Sequence, residues 1–443
     1  MYIQRATASS AFTRRSLIGA GIAAAALPIL SACSGGGTPG AGSTGGASLS
    51  WWSRDSHANG AMEPEIRAAL GSFDKKNGTT TEVQFLTLAD SSQKELAALT
   101  GGGLPTLGEQ GQDVSMQFAE GGHTMSLDDV YNGLKDKFVE LPKAAVTEYN
   151  GHVYAMPWWL ETRVLWYHKD LLEKAGVQPP TTWDEWISAT KALTNGTEQY
   201  GFAPSGQGVG IGQLFTSQAA AAGGTMLDAQ GKLDTTPDAF VEALQFMEKL
   251  FKAGMPPATI TYATSITEQL FLAKKSAMIW DNGSILQLIT STKPQLLDTV
   301  GAVLTPAITS GGKAYSFLGG FELFAFKDGQ GSSRAKDLLS FLYGDATTYG
   351  KIMTAGGGVT LPILSATAKE SVWQTGPRQV LVEQLKTACR YSGPAYGTHG
   401  YIGQAEANLV FSNPVADVFS GKSTPEAAVK QMFEQLKQIA AGS

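Results

Sequence analysis

Apolar positions along the chain switch between two periods. The run "SLSWWS" (48–53) predicts a first strand, Ile66, Leu70 and Phe73 then recur at helical spacing, and "TEVQFL" (81–86) predicts a second strand. Later helices begin at recognisable caps. Thr182 and Glu185 in "TTWDEW" fit a capping box. Thr236-Pro237-Asp238 supplies a cap, a first-turn proline and a first-turn acid ahead of one face made of Phe240, Leu244, Met247 and Phe251. Thr424-Pro425 opens a last helix with Val429, Met432, Phe433 and Leu436 inward. Strands alternating with helices predict an α/β fold with parallel or mixed sheets covered on their faces. No internal repeat interrupts the pattern.

One stretch breaks the ordinary rhythm. Residues 156–170 read "MPWWLETRVLWYHKD". From Glu161 onward, β-branched and aromatic residues predict an extended chain. Glu161, Arg163, Leu165 and Tyr167 then share one face, and Thr162, Val164, Trp166 and His168 the other. Pro157 fixes the entry, and "KDLLEKAG" predicts a helix closed by Gly176. An acid and a base near the start of such a strand suit a segment that crosses between two lobes.

The first 32 residues are set apart from the fold. Arg14-Arg15 in "TRRSLIGAG" precedes "IAAAALPIL", an apolar run too short to span a bilayer as a mature anchor. A twin-arginine pair of this kind points to Tat export, with Sec export the other route. The run ends in "LSAC", which resembles a bacterial lipobox and would make Cys33 the acylated N-terminus. A tether at 33–46 follows, beginning the Gly/Ser run "SGGGTPGAGSTGGAS" (34–48), too poor in apolar residues to fold. A diacylated cysteine supplies the two chains that lasting attachment to the outer face of the cell membrane needs. No transmembrane span follows Cys33.

Composition narrows the function classes. The chain has 33 basic and 39 acidic residues, a net charge of −6, and loss of Arg5, Arg14 and Arg15 with the leader takes it to −9. That balance argues against nucleic acid and against a basic surface lying on a membrane. Cys389 is the only cysteine besides Cys33, so the fold must rest on core burial. Roughly 400 mature residues suffice for two lobes. The histidines, His57, His123, His152, His168 and His399, have no metal-ligand spacing. Neither a nucleophile elbow nor a phosphate loop occurs, so no catalytic residue, metal or cofactor is expected.

Six blocks, in order, carry a family likeness. They are "SLSWWS", "LPTLGEQGQDVSMQFAEGGHTMSLDD", "HVYAMPWWLETRVLWYHKDLLEKAG" with "PPTTWDEW", "FLAKKSAMIWDNGS", "SFLGGFELFAF" and "TAGGGVTLP". In that order the chain resembles the extracellular solute-binding proteins of carbohydrate ABC importers, the maltose-binding-like group. The likeness departs at Thr106, where an aspartate is usual, and after Gly283, where Ser284 and Ile285 replace an expected tryptophan.

The resemblance implies two α/β lobes that close by hinge bending on a solute in the cleft between them. Lobe one would be 47–157 plus 283–319, and lobe two 158–282 plus 320–443. A pyranose offers an apolar face to aromatic rings and hydroxyls to carboxylates, amides and arginine. Trp158, Trp159 and Glu161 would supply both kinds of group, with Arg163 reaching the same cleft or neutralising Glu161. Gln110, Gln112 and Asp113 follow a strand end, where open α/β sheets bind ligands. Trp280 and Asp281 lie on the second crossover. Gly319 and Gly320 allow close backbone approach, with Phe321 or Glu322 facing the ligand. In "YSGPAYGTHGY", Tyr396 is preferred over His399 and Tyr401 as a stacking ring. Trp52, Ser53, Arg54 and Asp55 are candidates at the first strand end, whereas Trp183 and Trp186 read as helix-start packing. The expected partners are a sugar, of di- or oligosaccharide size, and the permease subunits of an ABC importer, bound by a monomer. A glycerophosphodiester such as glycerophosphocholine is the alternative cargo, and a secreted glycoside hydrolase the alternative class.

Overall fold

The computed structural model describes residues 46–54, 60–228, 230–394 and 396–442. The leader, Cys33, all but the last residue of the tether, Asp55 and His57 lie outside the described residues. The described residues belong to one compact unit.

Among the described residues, eleven strands form two sheets. The larger contains β1 (Ser48–Arg54), β2 (Thr80–Leu86), β3 (Leu107–Gln110), β4 (Thr147–Tyr149), β5 (His152–Thr162), β10 (Ser316–Ala325) and β11 (Ala388–Cys389). Its order is β2-β1-β3-β10-β5-β4, with β11 beside β10. The smaller holds β6 (Val164–His168), β7 (Tyr200–Phe202), β8 (Ser276–Asp281) and β9 (Val300–Val303), in the order β7-β8-β6-β9. β1 is parallel to both β2 and β3, and β10 runs antiparallel to β3 and β5. Helices cover the faces, as the alternating pattern predicts.

Local signals survive in the fold. Helix Glu63–Asn77 buries Ile66, Leu70 and Phe73. Helix Trp183–Ala192 starts on a complete capping box between Thr182 and Glu185. Helix Pro237–Gly254 buries Phe240, Leu244 and Met247, leaving Phe251 half-buried. Gly176 closes helix Lys169–Ala175 at φ +66°, a conformation glycine adopts without a Cβ clash. Trp183 stacks on Phe246 at 4.2 Å and Trp186 is fully buried, the packing role expected of both.

The crossover differs from its expected place. β5 stays in the larger sheet through Thr162, and β6 enters the smaller at Val164, so the chain changes sheets at Arg163 rather than after Pro157. β10 lies wholly in the larger sheet, so 320–325 belong with it and not with a second lobe beginning at 320. β9, expected with lobe one, pairs with β6. The two cores nevertheless separate by side-chain direction. Val164 and Trp166 face a core with Trp51, Trp158, Tyr343 and Tyr349, while Leu165 faces one with Trp186, Phe202, Phe240 and Phe433. That alternation is the period-two pattern of a strand covered on both faces.

Pro157 sits inside β5 because the ladder bends around it. Phe321 pairs with Trp159 but Glu322 with Pro157, leaving Trp158 as the extra residue of a bulge. A proline has no N–H for the ladder, and a bulge absorbs the missing bond.

Candidate functional site

β5, β6, β8 and β10 bring their ends together at a cleft with two connected cavities. The first, about 960 Å³, is lined by Gln110, Asp113 and Glu161, by Gly319 to Phe321, and across from them by Gln213, Arg390, Tyr401 and Glu406. The second, about 520 Å³, is lined by Glu161, Arg163, Glu268, Trp280, Asp281 and Asn282 among others. Glu161, Val209 and Gln213 border both. Volumes of this size suit a small polar ligand.

Glu161 is held from three sides. Arg163 Nη2 lies 3.3 Å from its Oε1, and Asn282 Nδ2 donates to its Oε2. Gly319 stands opposite in the ladder, and a Cβ there would collide with the carboxylate. Gly320 has φ +113°, where a side chain would be strained and would meet the Trp159 carbonyl. Gly319 therefore makes the room that the Glu161 carboxylate occupies, and Gly320 lets β10 approach the backbone just before it. The Arg163 guanidinium also lies 5.0 Å from the Phe317 ring and 5.7 Å from the Trp280 ring.

Beside this group, Trp280 Nε1 donates to Thr305 Oγ1 at 3.0 Å. Asp281 accepts the Asn282 N–H at 2.8 Å, and Ser284 Oγ donates to Glu268 at 3.3 Å. Burial, reinforced by the Glu268 charge, pushes the Asp281 carboxyl up to about 7, and burial raises Glu268 too.

At the other end of the cleft, Asp113 is already engaged. Arg390 and Thr398 donate to its two oxygens. Arg390 also donates to Leu318 O at 3.1 Å and lies 3.6 Å from Glu406, which accepts the Tyr391 hydroxyl at 2.6 Å. Burial opposes the Arg390 charge, but the carboxylates of Asp113 and Glu406 outweigh it and hold the guanidinium protonated. Helix Gln112–Glu120 meets helix Gly400–Ala407 through Gln117 Nε2 on Gly400 O at 3.3 Å, with His399 3.1 Å from Glu120.

Within the cleft wall a second polar cluster is buried, reaching the first cavity only at Gln110. Glu109 accepts from Ser53 Oγ at 2.8 Å, Arg54 N at 3.2 Å and Trp159 Nε1 at 3.2 Å. Gln110 donates to Ser91 Oγ at 2.9 Å and Glu95 Oε2 at 2.8 Å, and accepts from Arg54 Nη1 at 3.3 Å. Burial lowers Arg54 to about 10 and raises Glu95 to about 8 and Glu109 to about 7.

Several expected site residues are elsewhere. Trp158 is fully buried, edge-on to Trp51, Tyr343 and Tyr349 at 5.8, 5.5 and 5.4 Å, because the bulge turns its ring into the first core. Trp159 is buried against Phe321 at 4.9 Å. Neither indole is a platform at the cleft mouth. Trp52 packs on Leu86 and Ala98 with Lys94 Nζ 4.1 Å from its ring. Arg54 serves the buried cluster, its guanidinium 4.4 Å from Phe321. Gln112 is buried away from the lining. Glu322 turns inward and accepts the Thr147 N–H at 2.8 Å and hydroxyl at 2.6 Å, its carboxyl raised by burial to about 8. Tyr396 lies against Gly231 and Lys143, and Tyr401 lines the cavity instead. The helix Gly400–Ala407 carries Tyr401 there, a choice among three aromatic residues that local sequence did not fix. Gln213, Glu268, Phe317, Arg390 and Glu406 went unnoticed, since they come from separate elements without a shared motif. No cluster of His, Cys, Asp and Glu placed to hold a metal occurs among the described residues.

With this geometry in view, comparison with known proteins is informative. A family model described as bacterial extracellular solute-binding protein matches residues 55–349. A probable ABC transporter-binding protein of Deinococcus radiodurans is 24% identical over 401 residues, 85% of this chain and 90% of that protein. The diacetylchitobiose binding protein DasA of Streptomyces coelicolor is 25% identical over 347 residues, 75% of this chain and 79% of that one. Among solved structures, the sugar-binding protein MalE of Xanthomonas citri superposes with a TM-score of 0.75 at 20% identity, covering 89% of this chain and 98% of that one.

Proposed function

The chain belongs to the bacterial extracellular solute-binding proteins, and from that premise we propose that it binds a sugar, of di- or oligosaccharide size, and delivers it unbroken to the permease of an ABC importer. The observation that carries the reading is the Glu161–Arg163–Asn282 group, set in the cleft beside the Trp280 and Phe317 rings. Carboxylate, guanidinium and amide exchange hydrogen bonds with hydroxyls, and rings cover an apolar sugar face. A name for one relative, diacetylchitobiose binding protein, supports the same ligand class. Glu161, Arg163, Asp281, Trp280, Gly319, Gly320 and Phe321 are the proposed contacts from the sequence reading, joined by Tyr401.

Thermal-shift screening against mono-, di- and trisaccharides tests the proposal. At least one sugar should raise the melting temperature, and chromatography should recover it uncleaved. A panel without any stabilising sugar would overturn the reading, and cleavage products would shift it to a glycoside hydrolase. A glycerophosphodiester is the poorer cargo, because both cleft guanidiniums already face carboxylates, Arg163 at Glu161 and Arg390 at Asp113. Competition between a disaccharide and glycerophosphocholine separates the two cargoes.

In the same reading, the leader exports the chain, Cys33 carries lipid, and the protein works as a monomer on the outer face of the cell membrane. Cys33→Ser should move the protein from the membrane fraction to the soluble one. Retention in the membrane fraction would refute the anchor.

A further inference from the structure

The charge of the cleft is lopsided. Asp113, Glu120, Glu161, Glu268, Asp281 and Glu406 line its two cavities, against the guanidiniums of Arg163 and Arg390 and no lysine. Most of these acids have cationic partners. Arg390 serves Asp113 and Glu406, Arg163 serves Glu161, and His399 faces Glu120. Glu268 and Asp281 have no ion-pair partner among the described residues.

These two meet in the smaller cavity. Asp281 closes β8, Glu268 projects from helix Thr264–Leu272, and the lining between them includes Trp280 and Asn282. Asp281 is 8% exposed. Its Oδ1 accepts the Asn282 N–H, and its Oδ2 has no hydrogen bond among the described residues. A carboxylate oxygen that takes no protein donor among the described residues, beside a second acid and an open volume of about 520 Å³, suits a donor of positive charge. Neutral hydroxyls bond to carboxylates, but they leave the repulsion between an ionised Glu268 and an ionised Asp281 standing as the cleft closes and dries. An ammonium cancels it.

We propose that the solute is a hydroxylated cation, an amino sugar or aminated oligosaccharide whose ammonium group is taken by Asp281 and Glu268 while its hydroxyls face Glu161, Asn282 and Arg163. The proposal rests on the sugar-binding reading and refines it to a substrate class. Orientation follows from the lining. The amine-bearing ring occupies the smaller cavity, and further rings extend past Glu161 toward Phe317, Phe321 and Tyr401 in the larger one.

Binding has a proton signature. Asp281 stands at about 7 in the free protein, facing Glu268, Glu161 and Arg163. A cation seated beside it lowers that value, so binding near neutral pH releases a proton. A neutral sugar brings no such charge.

The experiment is calorimetric titration with matched pairs that differ only in amines, glucosamine against glucose (one amine) and fully deacetylated chitobiose against cellobiose (two amines), in buffers of different ionisation enthalpy. The amine member of a pair should bind at least about tenfold more tightly near pH 6.5, with proton release. Asp281→Asn and Glu268→Gln should each weaken the amine member's binding by a larger factor than the neutral member's, so that the ratio between the two affinities falls toward one. Equal or tighter binding of the neutral member overturns the proposal and leaves the sugar-binding reading intact. An amine preference unchanged in both variants overturns the assigned residues. Absence of binding by every member, together with a negative sugar screen, removes both readings at once.

Discussion

Two acid-rich clusters touch the same strand and behave differently. Trp159 of β5 donates to Glu109 in the buried group, where Glu95 and Glu109 share Arg54. Two residues on, Glu161 belongs to the open group, where Arg163 pairs with Glu161 and leaves Glu268 and Asp281 without an ion-pair partner among the described residues. Acids outnumber guanidiniums in both. In the buried group, Glu109 has three donors and Glu95, raised to about 8, is protonated at neutral pH, leaving Arg54 opposite Glu109. In the open group Asp281 and Glu268 take one donor each, from Asn282 and Ser284, and a cavity borders them. Residue type alone therefore does not mark a binding site; the count of protein partners and the access to solvent do.

The comparison can be broken in four places, taken from the largest expected effect. Arg54→Met should cost about 3–5 kcal/mol in denaturant unfolding, because it strands buried carboxylates without their cation. A cost below about 1 kcal/mol would show that the buried group is not structural.

The pH dependence comes next. Glu95 has a folded pKa above its unfolded value, so the fold binds the proton more tightly and unfolding releases it. Stability should fall as pH rises from the ordinary carboxylate range to about 8, and flatten below that range. Glu95→Gln should reduce the fall by an amount on the order of 3 kcal/mol, read from melting temperatures between pH 4.5 and 8. An unchanged slope would assign the titration to other groups.

Glu161→Gln should act on the other cluster. It should weaken sugar binding by about 1.5–3 kcal/mol while moving the unfolding midpoint little, since a charged acceptor is lost to hydroxyl donors. Near-unchanged affinity would remove Glu161 from the site. The smallest effect belongs to Ser53→Ala, which deletes one of three donors to Glu109 and should cost about 1 kcal/mol in the same unfolding assay, with no change in sugar affinity.

Much of the fold was legible in local pattern. Caps at Thr182 and Thr424, the helical face of Ile66, Leu70 and Phe73, and the alternation through Leu165 and Trp166 all depend on residues a few positions apart. Glu161 at the cleft was also within reach, because an acid and a base beside a crossover have no use in a core. The tryptophans before it misled. "PWW" reads as a pair of stacking rings at the cleft mouth, yet the missing N–H of Pro157 accompanies a bulge that sends Trp158 into the core beneath Tyr343 and Tyr349, nearly two hundred residues away.

The sequence by itself determined the α/β alternation, the helix starts and the family, because each follows from short-range spacing or from motifs kept in order. Only the tertiary structure decided which acids are free. Asp281 and Glu268 are separated by an ordinary stretch of helix, turn and strand, and Arg390 reaches Asp113 from the far part of the chain. Whether a carboxylate finds a donor depends on distances in space, and a free carboxylate and a satisfied one are spelled with the same letter.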